Sequence, residues 1–178
     1  MYKYIFTAVF LIVIGAWFSN FNVPRKSAPA VVNKPIEKSV TSALLPASIN
    51  KSNMVAGGKC NVERVNGIEM SLEPHILIRG EKLILSGWAF DDVNMRIPPS
   101  VILNLDNNDE HYYYATQVST SRPDVAEYFK LPGSLANAGF EFAIESSNMK
   151  QGEYSIALIL SFQDAEYVCE NGRKIVIQ

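Results

Sequence analysis

The sequence predicts an all-β domain of two antiparallel sheets, with one short inserted helix and a transmembrane helix in front. Three observations support this fold class. From Cys60 onward, short apolar runs are divided by turn residues, which is typical of antiparallel β-domains. Residues 122–130 interrupt that texture with a helical pattern. Residues 4–18 form an uncharged apolar run.

The apolar run at residues 4–18 is shorter than the roughly 20 residues of a typical membrane span. Trp17 and Phe18 stand where a signal peptidase requires small side chains. An uncleaved anchor is therefore favoured over a cleaved signal peptide. We expect residues 1–23 to form a single-pass membrane helix.

Residues 24–58 are the predicted linker between this anchor and a domain at residues 59–178. They include four prolines and no aromatic residue. Such a composition buries too little apolar surface to offset the loss of chain entropy. The linker should therefore be a flexible tether.

The charge of the chain divides at the same boundary. Six basic residues and one acidic residue precede residue 59, whereas 10 basic and 17 acidic residues follow it. Binding to nucleic acid needs clustered Lys and Arg side chains. An acidic domain therefore argues against a nucleic-acid partner.

Cys60 and Cys169 are the only two cysteines, and they bracket almost the whole domain. Cysteines at the two ends of a domain indicate a disulfide, which persists in an oxidising compartment. The alternative is a reduced pair in the cytosol. The disulfide is favoured, and it places the domain outside the cytoplasmic membrane.

The domain opens with three short strands, predicted at residues 61–65, 67–72 and 75–79. A longer strand follows at residues 82–90. Its two faces would carry Leu83, Leu85, Gly87 and Ala89 on one side, and Ile84, Ser86, Trp88 and Phe90 on the other. Because both faces hold apolar side chains, this should be a central strand that is covered on two sides.

Two alternating runs, at residues 100–106 and 111–119, are separated by the sequence DNNDE. Asn and Asp tolerate positive φ and bond to their own backbone. The two runs are therefore predicted to form a β-hairpin.

The helical pattern at residues 122–130 has recognisable start signals. Ser121 can cap the helix, Pro123 suits its first turn, and Asp124 complements its dipole. One short helix should result, with its apolar face formed by Val125, Tyr128 and Phe129.

The strands resume after the helix, at residues 139–144, 153–162, 167–169 and 174–177. Asn171 and Gly172, between the last two runs, are a two-residue hairpin signal. About eight to ten strands result, which fits a two-sheet β-sandwich of immunoglobulin-like or jelly-roll-like form.

Four short patches carry a resemblance to known proteins. They read SGWAFD at residues 86–91, RPDVA at 122–126, GF at 139–140 and GEYSI at 152–156. Over residues 83–160 the chain resembles small β-sandwich modules with Gly-Trp-Ala and Arg-Pro-Asp-Val signatures, found in bacterial cell-surface and envelope-glycan proteins. The resemblance implies a bacterial, extracytoplasmic sandwich. Together with the predicted anchor, this gives the expectation of a single-pass protein of the bacterial inner membrane whose domain lies in the periplasm or outside the cell. It supplies no catalytic residue.

Aromatic rings are the first candidates for a binding surface. Trp88 would stack on a sugar ring, although a Trp in so apolar a strand is more often part of the core. Tyr112, Tyr113 and Tyr114 must alternate between faces, so at least one of their rings should reach solvent. These four aromatic residues and Asp91 are the predicted contacts for a glycan or peptide ligand.

Arg122 and Asp124, at the start of the helix, are predicted to be structural. Facing a strand-end carboxylate, either Asp91 or Asp92, the Arg122 guanidinium would form a bidentate ion pair that fixes the helix on the sheet. We favour this role over ligand binding.

The sequence carries no catalytic or metal signature. His75 and His111 lack partners at metal-ligand or triad spacing, and DNNDE lacks the spacing of a calcium loop. We expect no cofactor. The leading prediction is a non-enzymatic, membrane-tethered module that binds a glycan or protein of the bacterial envelope. The alternatives are an assembly subunit of a surface or secretion complex and, third, a hydrolase with an unrecognised site.

Overall fold

The computed structural model describes residues 54–178 and, ahead of them, residues 40–42, 45 and 49. In this part of the chain eleven strands form two sheets, which confirms the predicted all-β, two-sheet class. The strands are β1 (Val40–Ser42), β2 (Met54–Ala56), β3 (Lys59–Val65), β4 (Ile68–Glu69), β5 (His75–Leu77), β6 (Lys82–Phe90), β7 (Ser100–Asp106), β8 (His111–Gln117), β9 (Gly139–Glu145), β10 (Gly152–Ser161) and β11 (Glu166–Ile177). Helix α1 spans Pro123–Tyr128, and short 3-10 helices lie at Gly133–Leu135 and Ser146–Asn148.

The two sheets differ in size. The larger follows the order β1-β8-β7-β10-β11-β2, with β5 also beside β11, and the smaller follows the order β4-β3-β6-β9. Strands β2 and β5 run parallel to β11. The main core is built from alternate side chains of both sheets, so the sheets pack face to face as a sandwich.

Strand β6 is the central strand that its sequence predicts. β3 and β9 pair with it on either side. Leu83, Leu85 and Ala89 point into the main core, whereas Trp88 and Phe90 are buried on the opposite face. Both faces of the strand are therefore covered.

The hairpin of β7 and β8 is also confirmed, because the two strands pair antiparallel over their full lengths. At its tip the Asp106 carboxylate accepts the backbone N–H of Asn108 at 2.7 Å. Asn107 Oδ1 accepts the backbone N–H of Glu110 at 2.7 Å, and Asn108 has a φ of 72°. The Asn and Asp side chains close the turn as expected.

Helix α1 lies within its predicted range, but its first turn differs from the expectation. Arg122, and not Ser121, occupies the cap position, and its side chain makes no capping hydrogen bond. Pro123 stands in the first turn, where its missing N–H has no intrahelical partner to lose. The Arg122 side chain is thereby left available for contacts away from the helix.

The hairpin predicted at Asn171 and Gly172 is wrong. β11 continues through both residues and pairs with β10 before and after them. The ladder shifts register here, and Gly172 has a φ of 68° while Arg173 N–H donates to Asn171 Oδ1 at 3.0 Å. A β-bulge, like a tight turn, accepts a residue with positive φ. The Asn-Gly dipeptide therefore fits a bulge as well as a hairpin turn.

A disulfide joins the two sheets of the sandwich. Cys60 on β3 and Cys169 on β11 are bonded, with their Cα atoms 6.2 Å apart. This confirms the predicted pairing.

Part of the chain before the domain covers the outer face of the larger sheet. β1 pairs with β8, and β2 pairs with β11 toward the opposite edge. Between these strands in sequence, Leu45 and Ile49 pack on apolar side chains of that face, namely Ile102, Tyr113 and Ile159. We call the described residues from Val40 to Ala56 the strap. They lie within the range predicted as a linker, residues 24–58.

The predicted anchor at residues 1–23 lies outside the described residues, as does the linker from residue 24 to residue 39. Among the residues that the structure describes, no helix is long and apolar enough to cross a membrane.

Candidate functional site

Three aromatic rings pack beneath helix α1 on the outer face of the smaller sheet. Trp88 and Phe90 are two residues apart on β6, so both project to this face. The Phe129 ring centroid lies 5.1 Å from that of Trp88 and 5.2 Å from that of Phe90. Val125 is buried in the same cluster. The cluster fixes the Trp88 side chain, which is 9% exposed. This fits the alternative core role of Trp88 and not an exposed ring that stacks on a sugar.

A polar network begins at the edge of the Trp88 ring. Its Nε1–H donates to Glu63 Oε1 at 2.7 Å, and Glu63 Oε2 lies 2.8 Å from Arg122 Nη1. Arg122 also donates through Nε and Nη2 to the two carboxylate oxygens of Asp124, at 3.0 and 2.7 Å. One guanidinium is thus held between two carboxylates.

The network favours its charged groups. Hydrogen bonding from Arg122 holds the pKa of Asp124 below its ordinary value. Hydrogen bonding, first to Asp124 and then to Glu63, raises the pKa of Arg122 against the opposing effect of burial. Both changes follow from placing opposite charges within hydrogen-bonding distance.

A β-bulge aims Glu63 into this network. In the β3–β6 ladder, Val62 pairs with Gly87 and Arg64 pairs with Ser86, which leaves Glu63 as the extra residue. Bulges change the direction of a side chain relative to the ladder. The Glu63 carboxylate can therefore reach Trp88 on the neighbouring strand.

Two glycines permit the close approaches that the network needs. A Cβ on Gly87 would stand 1.9 Å from the Asn61 carbonyl oxygen, and one on Gly139 would stand 2.8 Å from Arg122 Cγ. Thr120 and Gly139 exchange backbone hydrogen bonds of 2.9 Å in both directions. The chain that leads to Arg122 is therefore pressed against β9. Gly-Trp-Ala, Arg-Pro-Asp-Val and Gly-Phe, three of the four signature patches, meet at this site.

A hollow of about 530 Å³ opens beside this network. We call it the aromatic hollow, and its lining is Asn61, Glu63, Trp88, Arg122, Asp124, Val125, Tyr128 and Phe129. Its volume is within the range of small-molecule sites. Tyr128 is 80% exposed, and its ring packs edge-on against Phe129 with the centroids 4.9 Å apart. The hollow combines an exposed ring with two carboxylates and one guanidinium.

A second hollow of about 340 Å³ shares Asn61, Glu63, Arg122 and Asp124 with the first. We call it the charged hollow, and its other lining residues are Arg64, Glu69, Met70 and Arg173. The two hollows are neighbours with four lining residues in common, and we refer to them together as the groove. The groove changes from aromatic at the helix to charged at the β3–β4 hairpin.

The expectation of an exposed tyrosine patch is wrong. Tyr112, Tyr113 and Tyr114 are 8%, 6% and 1% exposed. Tyr112 and Tyr114 point into the main core, where burial raises the pKa of Tyr114 to about 12. Tyr113 points outward, as alternation requires, but the strap covers it through Ile49.

Asp91 has a structural environment and does not line either hollow. Its carboxylate accepts the backbone N–H groups of Val93 and Asn94 at 3.0 and 3.1 Å, and Arg96 Nε at 2.9 Å. It is 1% exposed. The side chain closes the loop after β6.

The predicted ion pair of Arg122 exists with a different partner. Asp91 is engaged by Arg96, and Asp92 lies 3.7 Å from Lys59. Arg122 instead reaches Glu63 on β3 and Asp124 at the start of its own helix. The helix start is fixed to the sheet as expected, but by a strand whose bulge the sequence did not reveal.

Sequence patterns also missed Tyr128 as a surface residue. It was expected to share a face with Val125 and Phe129, yet it is exposed while Val125 is buried. The signal for this difference is the shortness of helix α1, which ends at Tyr128. A helix of fewer than two turns cannot bury a broad face.

Within the described part of the chain, no group of three or more His, Cys, Asp or Glu side chains is arranged to hold a metal ion. A scan against models of known protein families found no match, and neither did searches of curated proteins and of solved structures.

Proposed function

We propose that the protein is a non-catalytic module, tethered to the bacterial inner membrane, that binds an envelope saccharide in the aromatic hollow. The observation that carries the proposal is the exposed Tyr128 ring beside the fixed network of Asp124, Arg122 and Glu63. A sugar presents an apolar ring face that packs on an aromatic side chain, and hydroxyls that need fixed donors and acceptors.

The carboxylates of the network have hydrogen-bonding capacity left. An ionised carboxylate offers about four acceptor positions. Trp88 occupies one position on Glu63 Oε1, and Arg122 occupies one on Glu63 Oε2. Arg122 also occupies one position on each Asp124 oxygen. The remaining positions can accept sugar hydroxyls. Because Arg122 already fixes both side chains, ligand binding would cost little of their conformational freedom.

The same network favours binding over hydrolysis. A glycosidase of the usual kind needs one carboxyl group that stays protonated near neutral pH, which requires a raised pKa. Arg122 lowers the pKa of Asp124, which is the opposite change.

The location is proposed on three supports. The disulfide of Cys60 and Cys169 is suited to an oxidising compartment. The apolar run at residues 4–18 would supply the anchor. The resemblance carried by the signature patches supports a location in the bacterial envelope.

A glycan array probed with the full chain, purified in a detergent that has no sugar headgroup, tests this function. We expect a defined set of envelope saccharides to bind. Calorimetry should then show that Tyr128→Ala weakens the best ligand about tenfold, or about 1.4 kcal/mol. Val93→Ala is the control, because Val93 is exposed and lies outside both hollows. Its affinity should equal that of the unmodified chain.

The second candidate is an assembly subunit of a surface or secretion complex. Ile76 and Ile78 favour it, because both are large apolar side chains left exposed beside β11. Two results together would replace the saccharide proposal with this one. The array would show no bound saccharide, and a membrane complex would co-purify with the unmodified chain but not with Ile76→Ser.

A further inference from the structure

The charged hollow contains one guanidinium without a counter-charge. Arg122 is held by two carboxylates, and Arg64 lies 3.8 Å from Glu69. Arg173 makes no ion pair with the described residues, and its buried Nε has no hydrogen-bond acceptor among them. Three carboxylates, those of Glu63, Glu69 and Asp124, also line the hollow. Each of them pairs with Arg64 or Arg122, so Arg173 is the one guanidinium of this lining without an ion pair among the described residues.

The bulge in β11 places this arginine at the hollow. Asn171 Oδ1 accepts the Arg173 backbone N–H at 3.0 Å, which stabilises the bulge. Asn171 Nδ2 is likewise buried and has no acceptor among the described residues. The bulge thus carries two unmatched donors. A buried donor without an acceptor is costly. Of these two residues Arg173 lines the charged hollow, so an acceptor added there would stabilise its side chain.

We propose that the charged hollow binds a carboxylate of the ligand, which Arg173 receives by turning its guanidinium into the hollow. Arginine and carboxylate groups pair through two parallel hydrogen bonds. This assignment rests on the proposed function, because the shared lining places both hollows within one groove. The ligand is then a sugar acid, whose carboxylate lies beside the unit that packs on Tyr128.

Two kinds of sugar acid present this carboxylate. In a uronic acid the carboxylate is attached directly to the sugar ring, and in a lactyl ether it is carried by a substituent. Calorimetry with the full chain would compare a neutral oligosaccharide with its uronic-acid and lactyl-ether analogues. We expect at least one acidic analogue to bind about tenfold more tightly than the neutral one, and the better of the two identifies the source.

Arg173→Gln should remove the preference for the acidic analogue, so that the acidic and neutral saccharides bind equally tightly. Lys174→Gln is the matched control: it removes the same charge at the next residue, whose side chain pairs with Glu153 at 2.7 Å and lines neither hollow. Arg173→Lys keeps the charge without the parallel bonds, so its preference should be intermediate. Arg173→Lys also tests the carboxylate site if Arg173→Gln does not fold.

The outcomes separate the two proposals. Equal binding of neutral and acidic saccharides, unaffected by Arg173→Gln, would overturn the carboxylate site and leave the saccharide function standing. Absence of binding by all three saccharides to the unmodified chain would overturn the saccharide function itself, and the carboxylate site with it.

Discussion

Glu63 connects three elements of the fold at the groove. Its two oxygens bond to Trp88 on β6 and to Arg122 at the start of helix α1. One carboxylate therefore links two strands and the helix. The aromatic cluster buries the Trp88 ring, and the hydrogen bond to Glu63 fixes the direction of its Nε1–H group. The indole edge is therefore held in one orientation.

Arg122→Ala should lower the free energy of unfolding by about 1–2 kcal/mol, because it removes hydrogen bonds to two carboxylates. Urea denaturation followed by tryptophan fluorescence would measure the change. Lys174→Ala breaks one exposed ion pair with Glu153 and should cost less than about 0.5 kcal/mol. Equal, small losses for both variants would contradict the role of Arg122 in fixing the helix.

Asp91 should make the fold sensitive to acid. Burial raises its pKa, but hydrogen bonds from Asn94, Arg96 and Val93 outweigh that effect and leave the pKa below 3.8. A lowered pKa in the folded state contributes stability above the ordinary pKa and loses it as pH falls through the folded value. Urea denaturation between about pH 2 and pH 7 should therefore show stability falling below about pH 4.

Asp91→Asn should lower stability at pH 7 by about 1–3 kcal/mol and make this acid dependence less steep, leaving the part that comes from Asp124. Asp109→Asn, at an exposed residue of the hairpin tip, should keep the profile of the unmodified chain. An acid dependence in Asp91→Asn as steep as that of the unmodified chain would place the acid sensitivity elsewhere.

Local signals were sufficient for some residues and insufficient for others. The DNNDE turn, the alternation along β6 and the pairing of the only two cysteines depend on neighbouring residues or on composition, and all are confirmed. The burial of Tyr113 depends on Ile49, which is distant in sequence. The partner of Arg122 depends on the register of β3. Neither can be derived from the alternation of one strand.

Two β-bulges shape the groove at the scale of secondary structure. One makes Glu63 the extra residue of β3, and the other displaces Asn171, Gly172 and Arg173 from the β11 ladder. Each directs a charged side chain to the groove from a strand in a different sheet. The groove therefore depends on irregularities in both sheets.

Gly87→Ala should prevent normal pairing of β3 with β6. The added Cβ would meet the Asn61 carbonyl oxygen at 1.9 Å, so the backbone would have to move and the Glu63 bulge would shift. We expect at least about 3 kcal/mol of destabilisation or no folded protein. Gly133→Ala is the control, because nothing lies within 4 Å of its added Cβ. Circular dichroism melting curves of both variants would decide, and equal melting temperatures would contradict the close approach.

Removal of the strap residues that precede β2 should uncover apolar surface. A chain that begins at residue 54 lacks Leu45 and Ile49, which leaves Ile102, Tyr113 and Ile159 without that cover. Compared with a chain that begins at residue 36, it should unfold at lower temperature and self-associate, because large exposed apolar patches promote association. Thermal melting and light scattering would measure both. Identical behaviour of the two chains would mean that the strap adds no stability.

The described part of the chain has four layers of packing elements. The two sheets enclose the main core, the strap covers the outer face of the larger sheet, and helix α1 covers part of the outer face of the smaller one. The disulfide of Cys60 and Cys169 joins the sheets through the core. Cys60 is also close in sequence to Asn61 and Glu63, so the cross-link supports the strand that lines the groove.

Replacement of both cysteines by alanine should lower the free energy of unfolding by about 3–5 kcal/mol, because a cross-link between residues so far apart strongly restricts the unfolded chain. Urea denaturation of the double variant and of the unmodified chain would measure the difference. In reducing agent the unmodified chain should approach the variant. A chain whose stability does not change on reduction would contradict this contribution.

The strap and the aromatic hollow lie on the outer faces of different sheets. The strap packs on the larger sheet, whereas the aromatic hollow lies beside helix α1 on the smaller one. A ligand can therefore occupy the aromatic hollow while β1 stays paired with β8.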